Sequence, residues 1–175
     1  MKKFAFVSIL VLIAGCASSN RPMASAMLTP ISGSTATGTV HFQELSDGSV
    51  DVTADLTRVP AGVHGFHVHD KGDCSDNGNA AGGHFNPMNM PHAAPDAQSH
   101  HAGDFGNVTA DANGEIHTKF NTRSITVHSG MTSVVGHAVI LHANPDDLTT
   151  QPSGNAGPRI ACGVAALHDM SAMNH

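Results

Sequence analysis

The chain has few of the features that mark nucleic-acid-binding, membrane-spanning or helical proteins. It contains 8 Lys and Arg against 14 Asp and Glu, which excludes a strongly basic surface for nucleic acid. No long stretch repeats apolar residues at helical spacing, and the apolar run 4–12 is too short to span a bilayer as a stable helix. Tryptophan and tyrosine are absent, yet 40% of the 175 residues are hydrophobic and 18 are glycine. This composition is typical of one folded, turn-rich domain rather than a disordered chain.

The N-terminus has the order of a secretion signal. A positive start, the apolar run and two small residues precede Cys16, an arrangement that resembles a bacterial lipobox. We expect residues 1–15 to be removed, Cys16 to carry lipid, and residues 16–24 to form a flexible tether. An ordinary cleaved signal is the alternative. The prediction is an exported, membrane-anchored protein on the periplasmic or cell-surface side. Ala17 is not the aspartate that commonly retains lipoproteins at the inner membrane, so the outer membrane is favoured in a Gram-negative host.

Short β-strands are the main structural expectation. Alternating apolar and polar residues predict strands over 39–45 and 49–56, joined at the turn Asp47-Gly48. Further candidates, punctuated by Gly, Pro, Asn and Asp, are 63–69, 116–120, 125–127, 136–141 and 160–165. Regular short strands favour a sandwich or a closed barrel. The segments from 71 to about 103 and from 143 to 158 interrupt this pattern as long loops, which are usually functional.

Histidine is unusually abundant, with 14 residues in the chain. Seven candidate metal ligands stand out: His67, His69, His84, His92, His101, Asp104 and, far downstream, His142. Seven ligands are too many for one zinc ion and fit two metals that share a ligand. His67 and His69 are two residues apart on a predicted strand, so both imidazoles face one side. Such a pair on its own more commonly faces solvent.

Four motifs resemble those of the copper–zinc superoxide dismutases and follow the family's order. They are GFHVH at 65–69, GHFNP at 83–87, GDFGNV at 103–108 and GNAGPRIACG at 154–163. The resemblance covers about residues 25–166. It implies an all-β, eight-stranded Greek-key sandwich or flattened barrel with two long functional loops. It also implies the disproportionation of superoxide to dioxygen and hydrogen peroxide, with one copper and one zinc ion per subunit.

The resemblance implies a role for each candidate ligand. The copper ligands fall on His67, His69, His84 and His142. The zinc ligands fall on His84, His92, His101 and Asp104. His84 would bridge both ions as an imidazolate and would also carry a proton during the reaction. Asp146 would link a copper histidine to a zinc histidine, and Arg159 would dock the superoxide anion.

Cysteine usage fits an exported protein. If Cys16 carries lipid, Cys74 and Cys162 remain as a pair, which outside the cytoplasm normally closes into a disulfide. Two free buried thiols are the alternative. The family resemblance implies the same pairing, with the disulfide inside a domain over 25–167.

Two further histidines, His100 and His64, lie close to the candidate ligands in sequence but are not expected to bind metal. His100 and His101 are adjacent, and the spacing to His92 and Asp104 favours His101 as the zinc ligand, with His100 a solvent-exposed neighbour. His64 lies on the strand face opposite His67 and His69. We expect His64 to be a structural histidine that binds backbone groups.

The chain departs from the family in the loop 143–158, which contains no lysine. Many family members carry lysine and glutamate there, and these charges steer the substrate anion. Removal of the signal with its two lysines takes the formal net charge from −6 to −8, which repels superoxide globally. We expect weak steering unless Lys71, Lys119 or Arg123 folds near the channel.

The sequence fits more than one interpretation at three points. A copper-binding carrier or buffer on the same scaffold is the alternative function. The tail 168–175 and two methionines near the zinc loop offer sulfur and imidazole groups that suit copper: His168, Met170, Met173, His175, Met88 and Met90. The alternative is a disordered tail and two packing methionines. A homodimer and a monomer both fit the sequence.

Overall fold

The computed structural model describes residues 21–168, so the predicted signal, the predicted lipidation site Cys16 and the tail beyond His168 lie outside the described residues. Nine strands are present in this part of the chain: β1 Met23–Pro30, β2 Thr37–Glu44, β3 Val50–Thr57, β4 Gly62–His69, β5 Asp104–Ala110, β6 Ile116–Thr122, β7 Ala138–His142, β8 Arg159–Val164 and β9 Ala166–Leu167. A short 3-10 segment spans Asp76–Ala81. Within 21–168, no helix has the length and apolar character needed to cross a membrane.

The strands form a nearly closed antiparallel barrel in the order β5-β4-β7-β8-β1-β2-β3-β6, and β9 adds a two-residue pairing to β1. Some neighbouring strands are distant in sequence, as in the pairs β3 with β6, β4 with β7 and β1 with β8. The connections that bring them together are the crossovers of a Greek key. The predicted all-β, eight-stranded barrel is therefore confirmed.

The hairpin of β2 and β3 shows why the sequence folds this way. Inward residues of both strands, such as Val40, Phe42 and Val52, are fully buried in the core. At the turn, the Asp47 carboxylate accepts the backbone N–H and the hydroxyl of Ser49, at 3.1 and 2.7 Å. Alternation and turn chemistry thus agree, and the predicted hairpin is confirmed.

The structure differs from the local expectations at three places. β1 begins at Met23 and buries Ala24, so the last two residues of the predicted tether 16–24 belong to a strand. The predicted strands omit β5. The segment 125–127 is not a strand, although Ile125 and Val127 are buried. Its hydrogen bonds are divided instead: the Glu44 carboxylate accepts the N–H of Val127 at 2.9 Å, and the Thr126 N–H donates to the Thr132 carbonyl at 2.9 Å.

The long loop between β4 and β5 is tied to the barrel at several points. Phe85 N–H donates to the Val68 carbonyl at 2.8 Å, and Val68 N–H donates to Gly103 at 3.0 Å. Cys74 and Cys162 form a disulfide with Cα atoms 5.8 Å apart, so the predicted pairing is confirmed. These ties hold the loop against the ends of β4, β7 and β8, where the candidate ligands converge.

Candidate metal centre

One group of imidazoles comes from the barrel strands. We call it the strand-borne set: His67 and His69 on β4 with His142 at the end of β7. The two strands are hydrogen-bonded neighbours with His67 opposite Ile140, which brings the three rings to one end of the sheet. One nitrogen of each, together with one of His84, lies within 4.8 Å of all the others.

Backbone carbonyls fix the rings of His69 and His142. Nδ1 of His69 lies 3.0 Å from the Gly82 oxygen, and Nδ1 of His142 lies 3.2 Å from the Gly157 oxygen. A carbonyl only accepts, so each Nδ1 carries the hydrogen of a neutral ring and each Nε2 keeps a lone pair. The two Nε2 atoms are 3.2 Å apart. Lone pairs directed at each other repel, and a cation between them would convert this repulsion into attraction.

His67 and His84 each present an unpartnered ring nitrogen to the same group of atoms. His67 donates through Nε2 to the Asp146 carboxylate at 2.8 Å, and its Nδ1 is buried with no hydrogen-bond partner in 21–168. Nε2 of His84 is likewise buried and unpartnered. A buried polar atom without a partner is costly, and metal coordination would satisfy both atoms. The residues therefore fit a metal with an all-imidazole ligand set, as suits copper.

A second group, the loop-borne set, consists of His92 and His101 from the long loop and Asp104 at its end. Oδ1 of Asp104 lies 2.7, 3.0 and 3.2 Å from Nδ1 of His84, His92 and His101. The third contact lacks hydrogen-bond geometry, and Nδ1 of His101 is unpartnered. In a tetrahedral zinc site with metal–ligand bonds of about 2 Å, two ligand atoms are about 3.3 Å apart. The spacings around Asp104 are close to this distance.

Asp146 joins the two sets. Its Oδ2 accepts from Nε2 of His67 at 2.8 Å, and its Oδ1 accepts from Nε2 of His92 at 3.0 Å. Asn107 fixes the backbone of Asp146 through two hydrogen bonds of 2.8 and 2.9 Å. Gly154, at φ +67°, passes so close that a Cβ there would lie 1.7 Å from Oδ1 of Asp146. Only glycine leaves room for this carboxylate.

The electrostatics differ between the sets. Burial, followed by the charge of neighbouring rings, holds the pKa of His67 and His69 well below the ordinary value, and burial lowers the pKa of His142 to about 4. These rings are neutral at pH 7, the form that binds metal. Burial alone would raise the pKa of Asp104, but hydrogen bonds, the strongest from His84, more than offset it and hold the pKa well below its usual range.

The strand-borne set opens to solvent through a pocket of about 440 Å³ that reaches His69, His84 and His142. Arg159 stands in its wall and donates to the carbonyls of Gly78 and Gly82, the latter at 2.6 Å. Burial lowers the pKa of Arg159, but a guanidinium remains a cation. Among the described residues that line the pocket, Arg159 is the only lysine or arginine.

The two histidines set aside in the sequence lie outside the ligand sets. The His64 ring contacts the carbonyl oxygens of Pro60 and His142 at 2.7 and 2.8 Å, which confirms its predicted structural role. His100 is half-buried rather than fully exposed, and its Nδ1 donates to the His101 carbonyl at 2.7 Å.

Sequence reasoning missed the residues that hold the ligands. Gln151 donates to the His92 carbonyl at 2.7 Å and accepts the His92 N–H at 2.9 Å. Asn107 and Gly154 hold and accommodate Asp146 as described above. Asn107 and Gly154 lie within quoted motifs, so their motif membership was a usable signal. Gln151 has no such signal, because it meets His92 only through the path of another loop.

Comparison with known proteins places this geometry in context. Residues 36–165, which include both donor sets and Arg159, match the family model of copper/zinc superoxide dismutase. The crystal structure of the clock protein EA4 is similar to this chain, with a TM-score of 0.74 and 39% sequence identity. That similarity covers 82% of this chain and 93% of the other.

Proposed function

Because the chain belongs to the copper/zinc superoxide dismutase family, we propose that it converts superoxide into dioxygen and hydrogen peroxide at a copper–zinc pair. The observation that carries the proposal is the convergence of two buried ligand sets on one shared residue, His84. The pocket is lined by His69, His84 and His142 but by only His101 of the loop-borne set, and only the strand-borne set offers an all-imidazole face. This division suits one reactive and one structural ion.

The proposed ligands follow from the free ring atoms. Copper would be held by Nδ1 of His67 and by Nε2 of His69, His84 and His142. Zinc would be held by Nδ1 of His84, His92 and His101 and by Oδ1 of Asp104. When bound, copper supplies the one-electron chemistry that the reaction needs, and zinc supplies positive charge on the other side of His84.

Arg159 attracts and orients the substrate. Its guanidinium is fixed by the carbonyls of Gly78 and Gly82, so little side-chain entropy is lost when an anion binds. The remaining pocket wall includes uncharged polar residues such as Asn79, Ser153 and Asn155. A single fixed cation in an otherwise uncharged pocket gives superoxide one docking point.

His84 supplies a proton to the reacting oxygen. Its Nε2 faces the strand-borne set and has no protein partner in the described chain, while its Nδ1 lies against Asp104. When it does not hold copper, Nε2 can therefore take up a proton and pass it to the reacting oxygen without another hydrogen bond being broken. A copper carrier would need neither this arrangement nor Arg159 in the pocket wall, so the site favours the enzyme.

Replacement of Arg159 tests the proposal. We expect Arg159→Ala to keep its copper and zinc but to lose about tenfold or more in kcat/KM, because the docking charge is gone. Arg159→Lys should recover part of the loss. Arg58→Ala, at an exposed arginine outside the pocket walls, is the matched control. Unchanged turnover in fully metallated Arg159→Ala, or metallated wild type without cyanide-sensitive activity, would overturn the proposal.

We further propose that the enzyme works outside the cytoplasm, anchored through lipid at Cys16. The Cys74–Cys162 disulfide supports this, since structural disulfides persist mainly in oxidising compartments. Wild type should incorporate labelled palmitate in a bacterial host and fractionate with membranes. Cys16→Ser should lose both the label and the membrane association. Equal labelling of the two proteins would contradict the anchor.

A further inference from the structure

A separate group of soft donor atoms lies in a surface pocket of about 310 Å³ beside the long loop. The pocket walls include the thioethers of Met88 and Met90 and the ring of His100. Met88 is 56% exposed and Met90 is 38% exposed, although methionine is usually buried. Two exposed thioethers and one imidazole, all groups that can bind a metal, therefore line a single pocket.

The loop that carries the two methionines is held in place. Asn86 donates through Nδ2 to the Met90 carbonyl at 2.8 Å and accepts the Met90 N–H through Oδ1 at 2.9 Å. The Ser99 hydroxyl lies 3.2 Å from Sδ of Met90, which orients this sulfur toward the segment that carries His100. The sulfur keeps a second lone pair for a ligand. Met90 is therefore presented to the pocket rather than packed in the core.

His100 has one free ring atom. Its Nδ1 donates to the His101 carbonyl at 2.7 Å, so Nε2 of the neutral ring keeps its lone pair. This is the pattern by which proteins orient imidazole ligands, with one nitrogen fixed by a carbonyl and the other left for a metal. His100 is thus prepared for coordination, although it takes no part in the loop-borne set.

The charge and chemistry of the pocket select the ion. Among its described walls there is no carboxylate, and its one cation, Arg123, is paired with Asp47 across 2.5 Å. Hard divalent ions prefer oxygen ligands, whereas thioethers select the soft, singly charged cuprous ion. We propose that Met88, Met90 and His100 bind one Cu(I) ion, separately from the copper–zinc centre.

The test uses the full chain with its copper–zinc centre filled, titrated anaerobically with Cu(I) supplied as its bicinchoninate complex. Wild type should take up about one equivalent more than a Met88→Leu, Met90→Leu double variant, or bind it at least tenfold more tightly, since even outer partners of a metal ligand are worth about tenfold. X-ray absorption of the added Cu(I) should show sulfur neighbours in wild type and lose them in the variant. His100→Gln should weaken uptake and keep the sulfur signal.

Leucine replacements at Met27 and Met131, which are 73% and 69% exposed, are the matched control and should leave Cu(I) uptake unchanged. Equal uptake by wild type and the Met88/Met90 variant, a copper spectrum without sulfur, or an equal loss in the Met27/Met131 control would overturn the site. Dismutase activity and zinc content should not change in the Met88/Met90 variant. Absence of activity in all proteins would refute the enzyme proposal and would leave the Cu(I) difference intact.

Discussion

The strand-borne and loop-borne sets reach the shared His84 by different means. In the first, a hydrogen-bonded pair of strands aligns the residues, and backbone carbonyls orient the rings of His69 and His142. In the second, His92 and His101 come from a loop and are gathered around the carboxylate of Asp104. Strand pairing and backbone carbonyls therefore position His69 and His142 without a charged group, and only His67 of this set also donates to a carboxylate, that of Asp146. A loop needs one ionised group to gather its ligands, and its geometry then depends on that group.

Replacement of Asp104 should affect the two sets most unequally. Asp104→Ala removes both a proposed zinc ligand and the acceptor that the rings of His84 and His92 share, with Nδ1 of His101 beside it. We expect zinc affinity to fall about a thousandfold, beyond the 10- to 100-fold that outer partners are worth, while copper binding falls far less. Competition with a chromogenic chelator measures both ions. The exposed Asp55→Asn is the control, and an equal loss of both metals would show that the sets are not held independently.

Acid should destabilise the metal-free protein through the strand-borne set. Burial lowers the pKa of His142 to about 4, whereas the unfolded chain has the ordinary value near 6.5. The neutral ring therefore stabilises the fold fully above pH 6.5, and this contribution is lost as the pH falls toward 4, by about 3 kcal/mol.

Urea unfolding of the metal-free protein with its disulfide intact checks this pH dependence. The free energy of unfolding should decline between pH 7 and pH 4, and His142→Gln should decline less steeply. A flat profile in wild type, or the same slope in both proteins, would contradict the assignment.

Replacement of Asp146 tests the link between the two sets, because its carboxylate contacts one histidine of each. In Asp146→Asn an amide N–H₂ must face the N–H of either His67 or His92, so one of two ligand orientations is lost. We expect the affinity of at least one metal to drop 10- to 100-fold, with activity following it. The adjacent exposed Asp147→Asn is the control. Metal affinities equal to wild type in Asp146→Asn would show that the link carries no energy.

The smallest expected effect concerns salt. Lys119 is paired with Asp51 at 2.8 Å and Arg123 with Asp47, and neither these residues nor Lys71 line the pocket of the strand-borne set. With one pocket cation against a net negative protein, kcat/KM should change less than about twofold between about 0.01 and 0.15 M ionic strength. Stopped-flow decay of superoxide measures it. A steep fall with salt would reveal steering that the pocket walls do not explain.

The sequence predicted what depends on short-range rules. Alternation along β4 gave the common orientation of His67 and His69, and Asp47-Gly48 gave the hairpin turn. Ile125 and Val127 alternate as a strand does, yet Glu44, distant in sequence, accepts the backbone N–H groups of Val127 and His128. Local pattern cannot distinguish a strand partner from a buried carboxylate.

The same limit applies at the metal centre. The family motifs indicated which residues to gather, and in each of the two groups the fold brings one ligand atom per residue within 4.8 Å of the others. The supports of these residues could not be predicted, because Gln151 meets His92 across 59 residues and Asn107 meets Asp146 across 39. Contacts of this kind depend on how two irregular loops pass each other, which no periodicity records.

His84 and Asp146 would also make the two proposed ions allosteric effectors of each other. An ion in either set would neutralise or orient a group that the other set uses, and so would change the free energy of the second binding step. Linkage requires this cooperativity to be reciprocal: the factor by which zinc alters copper affinity must equal the factor by which copper alters zinc affinity. The order of metal supply can therefore change the rate of maturation of this protein but not the free energy of its fully loaded state.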